Sequence, residues 1–427
     1  MNEKYTYTPE TNQETGRTLS DGLDIYKLYM GQVALKHHSD AEVTFTLKNR
    51  GFEHQLSEFV TVDGLQNRLN EIQTKGFTPE EVAYFAGLKA QDGSARFEPE
   101  YLDYLADLEL VPVTVGLDEA THDLAISTTG PWPNVSLWET VVMSEINEQY
   151  YQGLIETEGL NVEEIWQAGD ERLTQKINTL IERDDIKFAD FGTRRRFSVA
   201  WHEHVIARLA KELPNNFIGT SNPWFAHKYD LKPIGTYAHE MPMVYAGIAD
   251  SEGRNPLDGH KEMLLDWQNH YKGDLSIALT DTFGSEFFFN DFKDIANTWN
   301  GLRHDSGDPA TFANRAIEFY ENEDINPKEK TMVFSDGLNI NTIVDLADIF
   351  NDELTVMNGW GGGLMNDLGI RANNYVMKAT NVNGVDTVKL SDEEGKHTGP
   401  QAQVDRYIAL VNARLEVETA LKALTTV

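Results

Sequence analysis

The sequence predicts an α/β protein of two domains, and three observations lead there. Its 427 residues exceed the size at which one hydrophobic core usually keeps growing. Hydrophobic residues make up 40% and charged residues 25%, an ordinary globular balance that supplies enough apolar surface for a sizeable core. After residue 151 short apolar runs alternate with Gly- or Asp-containing turns and helical stretches, the rhythm of parallel strands with crossover helices.

Taken in order, residues 1–20 are polar, rich in Thr, Glu, Asn and Gln, and predict an extended arm. They lack the apolar h-region of a secretory signal. Residues 41–50 alternate Val43, Phe45 and Leu47 with Glu42, Thr44, Thr46 and Lys48, which predicts a half-buried strand. Pro79 opens a helix, and residues 132–151, with Pro133 near the start, predict one long helix that carries the chain into the next domain. Strands are then expected at 186–191, 217–220, 275–280, 331–334 and 354–357. Helices are expected at 198–213, 224–229, 285–290 and 340–350, and a last one at 404–424, charged on one face. In such folds functional residues gather at the carboxyl ends of the strands.

Charge restricts the partners. With 36 Lys+Arg against 69 Asp+Glu and a net charge of -33, general affinity for nucleic acid or anionic membrane is disfavoured. An anionic ligand must be held by local cations working against the overall field. The absence of Cys excludes disulfides and thiolate chemistry and fits a reducing compartment. No long charge-free apolar run is present to span a bilayer, so the expected location is the cytoplasm.

Several motifs carry chemistry. The glycine run at 358–364 follows a predicted strand, where backbone N–H groups either cradle a phosphate or make a tight turn. Residues 334–339 also end a strand and open a helix, offering Ser335 and Gly337 to an anion and Asp336 to sugar hydroxyls. Neither loop has the Walker lysine or the Rossmann spacing. At 303–309, Asp308 caps a helix that starts with Pro309, whereas Arg303 and Asp305 suit a sugar phosphate with bound magnesium. Arg194, Arg195 and Arg196 follow Phe191 just past a strand, as an anion clamp or as a salt-bridged surface cluster. In His239-Glu240 the carboxylate is expected to orient the imidazole for proton transfer or for covalent phosphorylation, between which the residues alone do not choose. His202 and His204, spaced i, i+2, read as surface or packing residues. No metal-site cluster of histidines is evident, and the metal ligands are left unassigned.

The order of the motifs then matters more than any single one. DIYKLYM at 24–30, FGTRRRFS at 191–198, GTSN at 219–222, GTYAHE at 235–240, LRHDSGDP at 302–309, FSDGLN at 334–339 and GWGGG at 359–363 together resemble the nicotinate phosphoribosyltransferase family, from about residue 21 to past 396. The resemblance implies an irregular α/β barrel at 151–375 beside an N-terminal α+β domain, 1–150, joined by 376–427. It implies a cytoplasmic homodimer with shared active sites, in which nicotinate attacks phosphoribosyl pyrophosphate with Mg2+. ATP hydrolysis would be coupled through a phosphohistidine at His239, with Glu240 and Asp305 as further catalytic residues.

The same resemblance implies the other roles. Phe191 and, from the neighbouring subunit, Tyr26 would sandwich the pyridine ring; Arg303 and Ser221 would meet its carboxylate, and Arg194 the pyrophosphate. Asp305 and Asp336 would hold ribose hydroxyls or magnesium-bound water. Arg195, Ser335, Gly337, Gly361 and Gly362 would bind phosphate. The nearest rival is a phosphoribosyltransferase acting on nicotinamide, and Ser221 argues against it, because a hydroxyl donates to a carboxylate that an Asp at that position would repel. A silent relative that only binds nucleotides or a protein partner is the other rival, and intact histidine and glycine loops argue against that one.

Overall fold

A computed structural model of the protein describes residues 18–49, 55–372 and 374–425. The arm expected at 1–20 falls mostly outside them, as does Arg50 at the end of the first predicted strand. Its last residues are described and are no arm: Thr18, Leu19 and Ser20 are buried, the latter two in the 3-10 turn Leu19–Gly22.

Eleven strands form two sheets among the described residues. They are β1 (Glu42–Asn49), β2 (Thr114–Leu117), β3 (Leu124–Pro131), β4 (Phe188–Asp190), β5 (Phe217–Thr220), β6 (Ile277–Leu279), β7 (Gly301–His304), β8 (Thr331–Phe334), β9 (Thr355–Trp360), β10 (Tyr375–Val382) and β11 (Val385–Asp386). The first sheet is antiparallel, in the order β11-β10-β1-β3-β2. Its alternation is the one read from β1: Val43, Phe45 and Leu47 face the core, while Thr44 meets Thr129 and Thr46 meets Thr380 across strands on the other face. The chain reaches this sheet twice, since β10 pairs with β1 from Val43↔Val382 to Asn49↔Tyr375.

The second sheet is wholly parallel, in the order β5-β4-β9-β8-β7-β6. Its strands are short and buried on both sides, as crossover helices require. Close pairing of β7 with β8 depends on Gly301, where a Cβ would stand 1.9 Å from the Thr331 carbonyl oxygen. Between the edge strands β5 and β6 lies segment 232–237: Thr220 N donates to Lys232 O, Ile234 N to Thr220 O, and Leu279 N to the Tyr237 hydroxyl.

The long helix expected at 132–151 is two pieces, Trp132–Val135 and Trp138–Glu158. The linking Ser136 and Leu137 keep helical dihedrals. The C-terminal segment divides its contacts. Its strands β10 and β11 join the first sheet, whereas helix Gln401–Thr425 lays Val404, Tyr407 and Val411 on Leu257, Phe283 and Phe287. Arg406 and Arg414 pair with Asp250 and Asp258 beside that contact. Among the described residues no helix is long and apolar enough to cross a membrane.

Candidate active site

The carboxyl ends of the parallel strands build the site. Asp190, last in β4 and fully buried, accepts from His202 Nε2 at 2.7 Å, Thr220 Oγ1 at 2.6 Å and the Gly192 N–H at 2.7 Å. Its lone pairs are thereby satisfied without solvent, and the turn that follows is fixed. That turn divides the three consecutive arginines. Arg196 is fully buried and donates to Asp21 O and Oδ2, a staple to the N-terminal segment and not part of an anion clamp. Arg195 lies over the Tyr375 ring at 5.8 Å. Arg194 Nη1 lies 3.4 Å from Asp24 Oδ2 and 3.3 Å from the Tyr26 hydroxyl.

Inside the parallel sheet is a cavity of about 890 Å³, whose lining includes Phe191, Ile218, Ile234, Gly235, Arg303 and Gly359. Two glycines admit the aromatic rings: a Cβ on Gly359 would stand 2.3 Å from the Phe191 ring, and one on Gly235 3.1 Å from the Tyr26 Cβ. Tyr26, expected from a neighbouring subunit, reaches Arg194 of its own chain, because helix Tyr26–His38 starts right after Ile25 N is bonded to Ser221 O. Arg303 projects from β7, donating from Nη1 to Tyr237 O at 3.1 Å, while its buried Nε has no partner among the described residues. A buried cationic donor left unpaired is costly, and the guanidinium that bears it belongs to a residue lining the cavity.

Ser221 departs from its expected role. Its hydroxyl donates to Asp24 Oδ1 at 2.6 Å and is 2% exposed, so its proton is committed to a protein carboxylate. Burial raises the Asp24 carboxyl above its ordinary range, and Arg194 and Ser221 oppose that rise.

His239, 4% exposed, ends the approach to helix Glu240–Ser251. Its Nδ1 is 2.9 Å from Thr282 Oγ1, and its Nε2 lies 3.0 Å from Asp305 Oδ2 and 3.4 Å from Asp281 Oδ1. Ionised carboxylates only accept, so Nε2 carries the proton and Nδ1 takes a hydrogen bond from Thr282. Burial lowers the His239 pKa from 6.5 to about 4; Lys389 adds to this and the two carboxylates oppose it. Burial pushes Asp305 and Asp281 up, but the His239 contact leads the effects that hold Asp305 well below the carboxylate range and Asp281 at about 2. Neutral imidazole between ionised carboxylates is therefore the resting state near neutral pH. Glu240 does not orient the ring as expected. It turns away and accepts from Lys27 Nζ and, at 2.6 Å, from Trp132 Nε1, because residues i and i+1 at a helix start point apart.

The two glycine-bearing loops lie side by side: Trp360 Nε1 donates to Leu338 O at 3.1 Å, and a Cβ on Gly363 would stand 2.4 Å from the same oxygen. Gly361 and Gly362 lie at the start of the short helix Gly362–Met365, next to the Arg195 backbone that Asn366 holds at 2.9 Å. Gly337, with φ +60°, is exposed at the mouth. Ser335 was expected on phosphate, yet its hydroxyl lies on Asp305 Oδ1 at 2.8 Å and His304 O at 2.9 Å. Asp336 accepts from Lys396 Nζ at 2.8 Å.

One oxygen or nitrogen each from His239, Asp281 and Asp305 lie within 4.8 Å of one another, a set able to hold a cation. Magnesium prefers oxygens, and both carboxylates here already serve the imidazole, Lys389 or serine hydroxyls. Asp336, half-exposed, is likewise engaged, with Lys396 Nζ at 2.8 Å. The sequence reading missed Asp24, Asp281, Thr282, Lys389 and Lys396 as site residues. Asp281 lies two residues past β6 and Asp305 one past β7, so position alone signalled it; Lys389 and Lys396 carry no local signal.

Residues 186–416 match the model of the nicotinate phosphoribosyltransferase (NAPRTase) family, and residues 23–147 match the model of its N-terminal domain. The crystal structure of nicotinate phosphoribosyltransferase from Porphyromonas gingivalis is similar at 30% identity and TM-score 0.82, covering 93% of this chain and 99% of the other. The Vibrio cholerae nicotinate phosphoribosyltransferase is 29% identical with TM-score 0.83 over 99% and 100% of the two chains. A putative nicotinate phosphoribosyltransferase from Saccharomyces cerevisiae is 26% identical with TM-score 0.78 over 94% and 99%.

Proposed function

This chain belongs to the nicotinate phosphoribosyltransferase family, and from that premise we propose how its residues share the work. The enzyme joins nicotinate to phosphoribosyl pyrophosphate, giving nicotinate mononucleotide and pyrophosphate, the entry to NAD salvage from nicotinic acid. The pyridine ring lies between Phe191 and, from the neighbouring subunit of a dimer, Tyr26, where a flat ring gains most from stacking. Its carboxylate meets the guanidinium of Arg303, which lines the cavity, with Arg194 close behind. The 5′-phosphate takes the N–H groups of Gly337, Gly361 and Gly362 with Arg195. A magnesium bound with the diphosphate would be held through water by Asp305 and Asp336, which also face the ribose, and would supply charge neutralisation for the leaving group. The pyridine nitrogen lone pair forms the bond to ribose C1 as the C1–O bond breaks, its electrons leaving on pyrophosphate. Carboxylates nearby favour the positive charge that develops at C1.

ATP acts as co-substrate through His239. The Nδ1 lone pair attacks the γ-phosphorus, the bond to ADP breaks, and the Nε2 proton stays on the ring, shared with Asp305. Water later cleaves the P–N bond and releases phosphate. The observation that best supports this reading is the buried His239 with Nε2 on carboxylates and Nδ1 on the Thr282 hydroxyl, an arrangement that supplies a neutral, oriented nucleophile. We also propose a cytoplasmic homodimer, and the domain division 1–150 with 376–427 against 151–375. Mass spectrometry of product from purified enzyme, magnesium, phosphoribosyl pyrophosphate and nicotinate or nicotinamide, with and without ATP, tests the whole. Nicotinate mononucleotide with ATP stimulation that His239→Ala abolishes is expected. Equal stimulation in the variant overturns the phosphohistidine.

A further inference from the structure

The segment after β11 reaches the carboxylates around His239. Lys389 is 5% exposed, and a buried ammonium is costly unless it is paired. It is held in place by its backbone: Lys389 N donates to Thr398 O at 3.0 Å, Thr398 N returns to Lys389 O at 2.8 Å, and the next residue, Leu390, donates to Thr282 O at 2.8 Å. The Lys389 ammonium lies 3.1 Å from Asp281 Oδ2. That same oxygen accepts from Ser306 Oγ at 2.7 Å and Ser391 Oγ at 3.3 Å. The other oxygen of Asp281 is buried, makes no hydrogen bond among the described residues, and faces His239 Nε2 at 3.4 Å. One side of the carboxylate is thus saturated by three donors, and the other is kept bare against the imidazole.

We infer that Lys389 is a positioning residue for phosphoryl transfer: it anchors Asp281 so that the bare Oδ1 stays beside His239 Nε2 while Nδ1 takes the phosphoryl group. The inference rests on the phosphohistidine reading. As Nδ1 bonds to phosphorus the ring becomes cationic, and Oδ1 gains an attraction absent in the ground state, which is how a fixed carboxylate accelerates a step instead of only binding substrate. The Lys389 ammonium contacts the Asp281 carboxylate. It acts through Asp281, and the strap that carries it also delivers Ser391 and, by way of Lys396, a cation to Asp336. The chain after β11 therefore completes the histidine site from a distance of more than a hundred residues in sequence.

The test follows transfer of radiolabelled γ-phosphate from ATP to the protein without the other substrates, in wild type, Lys389→Met, Lys389→Arg and His239→Gln. The expected result is a labelling rate lowered roughly 10- to 100-fold in K389M with the KM for ATP within about threefold, and substantial recovery in K389R. Labelling of K389M at the wild-type rate overturns the inference. Wild type that takes no label, or His239→Gln that still does, overturns the phosphohistidine reading itself and this inference with it. Should K389M fail to fold because Asp281 is left buried and unpaired, the double variant K389M with Asp281→Asn removes that charge. Slow labelling by the folded double variant, with slow labelling also by D281N alone and no further loss from K389M, supports action through Asp281; additive losses overturn it.

Discussion

The hydroxyl of Ser221 donates to Asp24 at 2.6 Å in a pocket closed to solvent, so the residue that in sequence best separates nicotinate from nicotinamide spends its proton on another carboxylate. Asp24 in turn faces Arg194. We propose that Ser221 acts on the pyridine site through the acid it holds. Ser221→Ala is expected to lower kcat/KM for nicotinate by about 3- to 10-fold, the worth of one hydrogen bond, while keeping the preference over nicotinamide. Ser221→Asp sets two carboxylates against each other and is expected to cost nicotinate about 100-fold. Steady-state kinetics on both substrates decides, and loss of preference in S221A would restore a direct contact.

We propose that the nicotinate carboxylate meets Arg303, whose guanidinium lines the cavity. Arg303→Lys keeps the charge and loses the planar fork. Its kcat/KM for nicotinate is expected to fall by roughly 10- to 100-fold, the range of a charge-assisted hydrogen bond, with nicotinamide affected less. Parallel kinetics on the two substrates measures this.

Gly359→Ala drives a methyl to 2.3 Å from the Phe191 ring. The ring must swing into the cavity, since backbone holds the glycine in β9. A rise in KM for nicotinate of about 10-fold or more, with thermal stability changed far less, is expected; unchanged KM would remove Phe191 from the ring site.

The pH dependence follows from His239, whose pKa falls from 6.5 to about 4 on folding. The unfolded chain binds this proton first as pH falls, so stability due to a neutral His239 is present above 6.5 and is lost on the way down to about 4, by up to ~3 kcal/mol. Asp281 and Asp305, whose pKa values are depressed, lose their contribution only below the ordinary carboxylate range. Denaturant unfolding of wild type and His239→Gln across that window is expected to show the slope flattened in the variant. For the same reason ATP-dependent turnover should not lose its acid limb to His239 until pH approaches 4.

Lys27 is fully buried between Glu139 at 2.5 Å and Glu240, linking the start of helix Tyr26–His38 to the residue after the histidine. Lys27→Met leaves two buried carboxylates without their cation and is expected to destabilise by about 3–5 kcal/mol. Thermal unfolding reads this directly, and a change below 1 kcal/mol by the same measure would show the pair to be expendable.

Much was legible along the chain because strand and helix periods are local. The alternation of Val43, Phe45 and Leu47 gave β1, and Asp308-Pro309 gave the cap of helix Pro309–Asn322, where Thr311 N meets Asp308 at 2.7 Å. Ordered motifs at strand ends located His239, Arg303, Asp305 and the glycine loops. The same reading misassigned Glu240 and Arg196, since adjacency in sequence says nothing of which way two side chains turn, and it put Ser335 on phosphate when its hydroxyl serves Asp305.

By itself the sequence determined the α/β rhythm, the family and which segments carry chemistry, all properties of order and spacing along one chain. Only the tertiary structure decided the partners of each charged group. Lys389 reaches Asp281 across 108 residues and Ser221 reaches Asp24 across 197, and burial makes those pairings matter. In low dielectric an unpaired ion or donor is expensive, so the fold commits Ser221, Glu240 and Arg196 inward and sets Asp281 Oδ1 against His239.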